Sequence, residues 1–280
     1  MTKTSEIKFK YDLNNDDLVT IDEYLAKELS AGPKAVKTRI NYNYQDYENI
    51  FNYFYILFLN LKQFKILCIP NSILIYNNNA TRVAVAFDQK KEKILIANNM
   101  RQSIKKCIDK ERTRFIFFTF ILIPKNVLKT KITHANMIII DLSKKTIERF
   151  EPYGSLTVKF EEKMDKLFKT KILEKLDLED FEYLSPTDIC PKIGIQRIAD
   201  SFCGMCITIS MMYLHLRILN PDIKQSKLIK YIITRPKKKL KEMILKYAKH
   251  VEEKLKENEL LVLDLFNDFY IDLKDSNFFN

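Results

Sequence analysis

Several absences narrow the reading of this chain. Its 280 residues contain no tryptophan, three histidines and only four glycines. Three of those glycines, Gly154, Gly194 and Gly204, fall between residues 134 and 206. In a chain this poor in glycine they mark backbone that must turn sharply or approach another group closely. No apolar run reaches the roughly 20 residues of a membrane-spanning helix. The longest, Phe115 to Ile123, reads as a buried central strand stopped by Pro124. No cleavable apolar segment is visible at the N-terminus, so the expectation is a soluble, cytoplasmic protein without a membrane partner. Five cysteines, an odd and unevenly spread set, do not suggest a disulfide framework and fit a reducing compartment.

What is present suits one large core: 46% of residues are hydrophobic. The simplest division is an N-terminal helical and stranded extension over 1–110 and a core with C-terminal helices over 111–280. Lys and Arg number 47 against 36 Asp and Glu, a net charge of +11. That excess makes non-specific nucleic-acid contact possible, but no reader motif accompanies it. The densest basic run, Lys237-Lys238-Lys239-Leu240-Lys241, reads as a solvated helix face. Abundant Lys, Asn and Ile suit an AT-rich coding genome.

Periodicity predicts helices over Ile21–Leu29 and Tyr47–Phe64, and short strands over Arg82–Phe87 and Lys93–Ala97. Three strands follow: the 115–123 run, Ala135–Asp141 and Thr146–Glu151. The last two are joined by Leu142-Ser143-Lys144-Lys145, a connection of hairpin length. An amphipathic helix then runs to about Leu176. A second helix, Met205–Leu219, is apolar on almost every side and so should be buried. Charged helix follows Pro236. Residues 12–23 imitate a calcium-binding loop, with Asp12, Asn14, Asp16 and Glu23 at ligand positions and Asp17 where a glycine is usual. An acidic loop capping the helix that starts near Thr20 explains them as well, and no metal is assigned.

The chemistry-bearing residues come in the order His134, Glu151, Gln196, Cys206. A helix N-terminus stabilises a thiolate, which favours Cys206 at the head of the apolar helix as nucleophile. Cys203, just before it, is the alternative. His134 would take the thiol proton and return it to the leaving group. Glu151, ending the next strand, is placed to orient His134. Asn136, two residues along the same strand and on the same face, or Asp141 could do so instead. Gln196 would join a backbone N–H in holding an oxyanion.

Together these residues resemble the ubiquitin-like-protease and adenain superfamily of cysteine proteases, and more closely uncharacterised proteins of large DNA viruses. The likeness lies in His134-Ala135-Asn136, in Glu148-Arg149-Phe150-Glu151-Pro152-Tyr153-Gly154, and in Cys190-Pro191-Lys192-Ile193-Gly194-Ile195-Gln196. It continues through Gly204-Met205-Cys206, Leu216-Arg217 and Asn220-Pro221, and covers about residues 134–222. It implies an α+β fold of papain-like, ubiquitin-like-protease type: a central mixed β-sheet flanked by helices, with no cofactor. The implied activity is thiol proteolysis of a protein substrate, either a ubiquitin-like conjugate or a viral polyprotein cut after a small residue. A non-catalytic binding relic and an acyltransferase using the same triad are the alternatives. Deconjugating members usually follow the His with a Trp that roofs a diglycine tunnel; here Ala135 stands in that place.

Overall fold

The computed structural model describes residues 47–76, 79–123, 134–155, 161–199 and 205–265. The calcium-like loop, the helix predicted over Ile21–Leu29 and Cys203 lie outside them.

Helix α1 (Tyr47–Asn60) leads through a 3-10 turn into strand β1 (Leu67–Cys68). Strands β2 (Leu74–Tyr76) and β3 (Asn79–Thr81) make a small antiparallel pair of their own. Next come β4 (Val85–Asp88), β5 (Lys93–Ile96), α2 (Met100–Ile108), β6 (Phe115–Ile123), β7 (His134–Asp141) and β8 (Thr146–Phe150). Helix α3 (Glu161–Leu167) continues through a π turn, and β9 (Glu182–Leu184) follows. The remaining helices are α4 (Pro186–Ile189), α5 (Ile195–Ala199), α6 (Cys206–Leu219), α7 (Gln225–Ile233) and α8 (Lys237–Glu257).

The main sheet runs β5-β4-β6-β7-β8-β9, with β1 also paired to β6. It is mixed. The β4–β6, β1–β6 and β8–β9 pairs are parallel, and β4–β5, β6–β7 and β7–β8 antiparallel. With helices around it, the fold is α+β, as the sequence implied. Strands from both sides of residue 110 thus pair directly, β4 with β6.

The apolar run works as expected: all nine residues of β6 are buried. A strand covered on both faces must be apolar at every position, and this is why it shows no alternation. The β7–β8 hairpin also forms, with Lys145 at positive φ closing it. Helix α6 is buried at all 14 positions. Three of them, Cys206, Tyr213 and Arg217, are spaced seven and four apart and so share one stripe of the helix. Along that stripe Tyr213 stacks on Phe150 with ring centroids 4.0 Å apart, and its hydroxyl donates to Glu148 Oε2 at 2.7 Å. Arg217 Nε donates to Glu148 Oε1 at 2.9 Å. These contacts fasten the helix to β8.

One expectation fails. Cys68 in β1 and Cys107 in α2 form a disulfide, with Cα atoms 5.6 Å apart across 39 residues of sequence. Sequence spacing does not reveal such a pair, because the fold alone brings β1 beside the end of α2. The free cysteines among the described residues are Cys190 and Cys206.

Candidate active site

His134 opens β7 and Glu151 follows the last residue of β8, so the antiparallel pairing brings them to the same end of the sheet. His134 Nε2 lies 2.6 Å from Glu151 Oε1. The opposite oxygen of the carboxylate, Oε2, accepts the Asn136 amide at 2.8 Å. Tyr153 donates its backbone N–H to Oε1, also at 2.8 Å. Glu151 is fully enclosed, whereas the His134 side chain keeps 17% of its surface exposed. An enclosed carboxylate needs such donors to stay charged.

Asn136 does more than fill the strand. Its Oδ1 accepts Arg149 Nη1 at 2.7 Å, and since arginine can only donate, the NH2 end of the amide must face Glu151. Arg149 is itself buried and spread over further partners: Nε donates to the Tyr183 hydroxyl at 3.0 Å and Nη2 to Asp165 Oδ1 at 2.9 Å. The Tyr183 hydroxyl donates to the same Asp165 oxygen at 2.7 Å. A continuous polar chain therefore runs from the imidazole through the carboxylate and amide to a guanidinium and a second carboxylate.

Cys206 heads α6, only 4% exposed, and hydrogen-bonds the His134 side chain. Cys206 is the first residue of α6, the helix end that carries partial positive charge. Burial opposes charge on His134. The Glu151 carboxylate, the hydrogen bonds to Cys206 and Glu151 and the charge of Cys206 outweigh it, raising the imidazole to about 10. For Glu151 burial again opposes charge, but His134, the Tyr153 N–H and Arg149 hold its pKa below the ordinary carboxylate value. The arrangement is an imidazolium between a carboxylate and the Cys206 sulfur.

Gln196 sits in α5, buried, and donates through Nε2 to the Tyr153 hydroxyl at 3.4 Å. Its position is tied to that of Glu151 through the backbone. The Gly194 N–H donates to the Tyr153 carbonyl at 2.8 Å, and the Gln196 N–H to the Pro152 carbonyl at 3.0 Å. Gly154, at φ +95°, and Gly194 touch so closely that a side-chain carbon on either would overlap main-chain atoms of the other loop. Their scarcity in the sequence pointed here, and close backbone approach is what they provide.

The structure thus gathers His134, Asn136, Glu151 and Cys206 by direct contact and links Gln196 to them through Tyr153. Asp141, the fallback orienter, is not among them. It lies seven residues along β7 from His134, on the opposite face and over 20 Å away at about 3.3 Å per residue. There it faces Arg114 and accepts the N–H groups of Ser143 and Lys144. In the sequence Arg149 and Tyr153 stood only within the Glu148–Gly154 motif, without a role, and Asp165 and Tyr183 did not stand out at all. Arg149 alone carried a signal, as a charged residue two before Glu151 and therefore on its face of the strand. No group of three His, Cys, Asp or Glu among the described residues is arranged to hold a metal ion. No helix among them is long and apolar enough to cross a membrane.

No protein-family model matches the chain. A putative ankyrin repeat protein of Acanthamoeba polyphaga mimivirus is 30% identical over 137 residues, which is 41% of this chain and 18% of that protein. The chain therefore spans less than a fifth of that relative's length. Among solved structures, the fold is similar to SUMO protease Ulp1 with its catalytic cysteine oxidised to a sulfenic acid. The TM-score is 0.40 and the identity 14%, covering 86% of this chain and 95% of that one. It is also similar to the C-terminal Ulp1 protease domain in complex with Smt3, the yeast orthologue of SUMO, with a TM-score of 0.39 and 15% identity over 84% and 94% of the two chains.

Proposed function

We propose that this chain is a cysteine peptidase with Cys206 as nucleophile. The observation that carries this reading is the unbroken contact series Cys206, His134, Glu151, Asn136. With the thiol proton on His134, the Cys206 sulfur attacks a substrate carbonyl and the carbonyl electrons move onto its oxygen. The Gln196 amide and the Cys206 backbone N–H stabilise that oxyanion. Collapse of the intermediate breaks the C–N bond as the imidazolium gives its proton to the leaving amine. A water molecule, deprotonated by the neutral imidazole, then attacks the thioester and releases the acid and the thiol. Throughout, Glu151 stabilises the imidazolium, and Asn136 holds Glu151.

The substrate on this reading is a protein: a ubiquitin-like conjugate or a viral polyprotein cut after a small residue. The order of the motifs along the chain supports this, and the mimivirus relative supports a viral setting. A binding relic would have no need to keep four reactive or orienting groups in register. To test the reading, purified protein is incubated with ubiquitin-like fusion proteins and Gly-containing peptides beside its Cys206→Ala variant. Cleavage by the wild type alone supports peptidase activity. No cleavage, together with thiol alkylation no faster than that of free cysteine, would refute it.

A further inference from the structure

Tyr153 stands between the two halves of the site. The centroid of its ring lies 4.6 Å from that of His134, the planes tilted by 38°. Its hydroxyl accepts the Gln196 amide at 3.4 Å. Its N–H reaches the Glu151 oxygen that also faces His134, and its carbonyl accepts from Gly194. On its outer side the Arg197 guanidinium lies 5.9 Å from the ring centroid.

We propose that Tyr153 is a positioning residue for the reaction, its ring holding the His134 imidazole and its hydroxyl holding the Gln196 amide for the oxyanion. The two actions are chemically separate. An aromatic face beside an imidazolium attracts the cation and limits its rotation. The groups facing His134 are Glu151, Cys206 and this ring, with Arg149 acting through Glu151, so the ring's share adds to that of the carboxylate. The hydroxyl works differently. A primary amide has two N–H groups, so Gln196 can give one to Tyr153 and direct the other at a developing oxyanion. Accepting the first bond fixes the amide rotamer, and that determines where the second N–H points. The half-buried Tyr153 lies against the imidazole from just beyond the end of β8.

The hydroxyl half rests on the peptidase reading; the ring half stands on geometry alone. The test compares Tyr153→Phe, which keeps the ring, with Tyr153→Leu, which keeps only apolar bulk, in the full chain. The imidazole of His134 is titrated by NMR, and kcat and KM are measured on a cleaved substrate. Tyr153→Phe should leave the His134 midpoint in place and lower kcat about tenfold, the worth of one hydrogen bond, with KM unchanged. Tyr153→Leu should lower the His134 midpoint as well, and Tyr153→Trp should restore the midpoint but not kcat. Should Tyr153→Leu fail to fold, Tyr153→Met serves in its place. An unmoved His134 midpoint without the ring would overturn the ring half. A Tyr153→Phe enzyme with wild-type kcat, or with a change in KM alone, would overturn the hydroxyl half. If the wild type cleaves nothing, the hydroxyl half falls with the peptidase reading, while the titration still decides the other.

Discussion

Gly154 and Gly194 meet backbone to backbone, and neither has room for a side chain. Through that contact the loop bearing Glu151 and the loop bearing Gln196 move as one. Gly194→Ala should therefore destabilise the protein by roughly 2 kcal/mol or more, since the overlapping atoms are main chain and cannot rotate away. Gly154→Ala adds the strain of a positive φ, of order 1 kcal/mol. Urea denaturation measures both. Activity should fall further than stability, and a Gly194→Ala protein with wild-type stability would show that the loops separate easily.

Labelling by a thiol-directed electrophile should concentrate on Cys206. Mass spectrometry of briefly treated protein should find the adduct there, absent from Cys206→Ala, with the buried Cys190 slow to react. A His134→Ala variant should react much more slowly at Cys206. Fast labelling of Cys203 in wild type would transfer the nucleophile role to that residue.

The pH dependence has a definite sign. His134 is raised to about 10, above the value near 6.5 expected in the unfolded chain. Its stabilising contribution is therefore fully present below about pH 6.5 and lost as pH rises through about 10. Glu151 is lowered, so its contribution is present above its unfolded value and lost as pH falls through its folded one. Because the imidazolium donates the proton to the leaving amine, kcat/KM should hold through neutral pH and decline toward pH 10. Replacing Glu151 by Gln should move that alkaline decline to lower pH, and a decline that stays in place would show that Glu151 does not set it.

A separate pair of histidines acts in the opposite direction. Burial and the nearness of His250 hold His215 well below its ordinary value. Burial and Lys254, against the weaker pull of Glu257, lower His250 to about 4. His215 packs among Tyr53, Phe64 and Tyr247, a setting that favours the neutral ring. Unfolding lets both take up protons, so this contribution to stability is intact above about pH 6.5 and declines as pH falls toward 4. His250→Gln should flatten the acid side of a plot of urea midpoint against pH. An unchanged slope would assign the acid sensitivity to other groups.

How far the sequence revealed this depends on the range of each interaction. Strand β6 was legible because burial on both faces leaves an unbroken apolar run, and α6 because its apolar residues encircle it. His134, Glu151, Gln196 and Cys206 were legible as an ordered set of chemical types. Asn136 was placed by strand alternation alone. The same alternation could have excluded Asp141, an odd number of residues from His134. Partners set by tertiary docking were not legible: Asp165 with Arg149, Tyr153 with Gln196, and Cys68 with Cys107 depend on which surfaces meet. Nothing local encodes that.

The stripe along α6 makes the helix a lever. At one end Arg217 grips Glu148; at the other Cys206 meets His134, 11 residues and about 16 Å away at 1.5 Å per residue. A small tilt at the anchor becomes a larger displacement of the sulfur, so a substitution remote from the site can act on it. Arg217→Met would leave Glu148 enclosed without its cation, a loss of about 3–5 kcal/mol in stability. Arg217→Lys keeps the charge but shortens the reach, and a protein that stays folded should show it in slowed alkylation of Cys206. Equal alkylation rates in wild type and Arg217→Lys would mean the thiol is held locally.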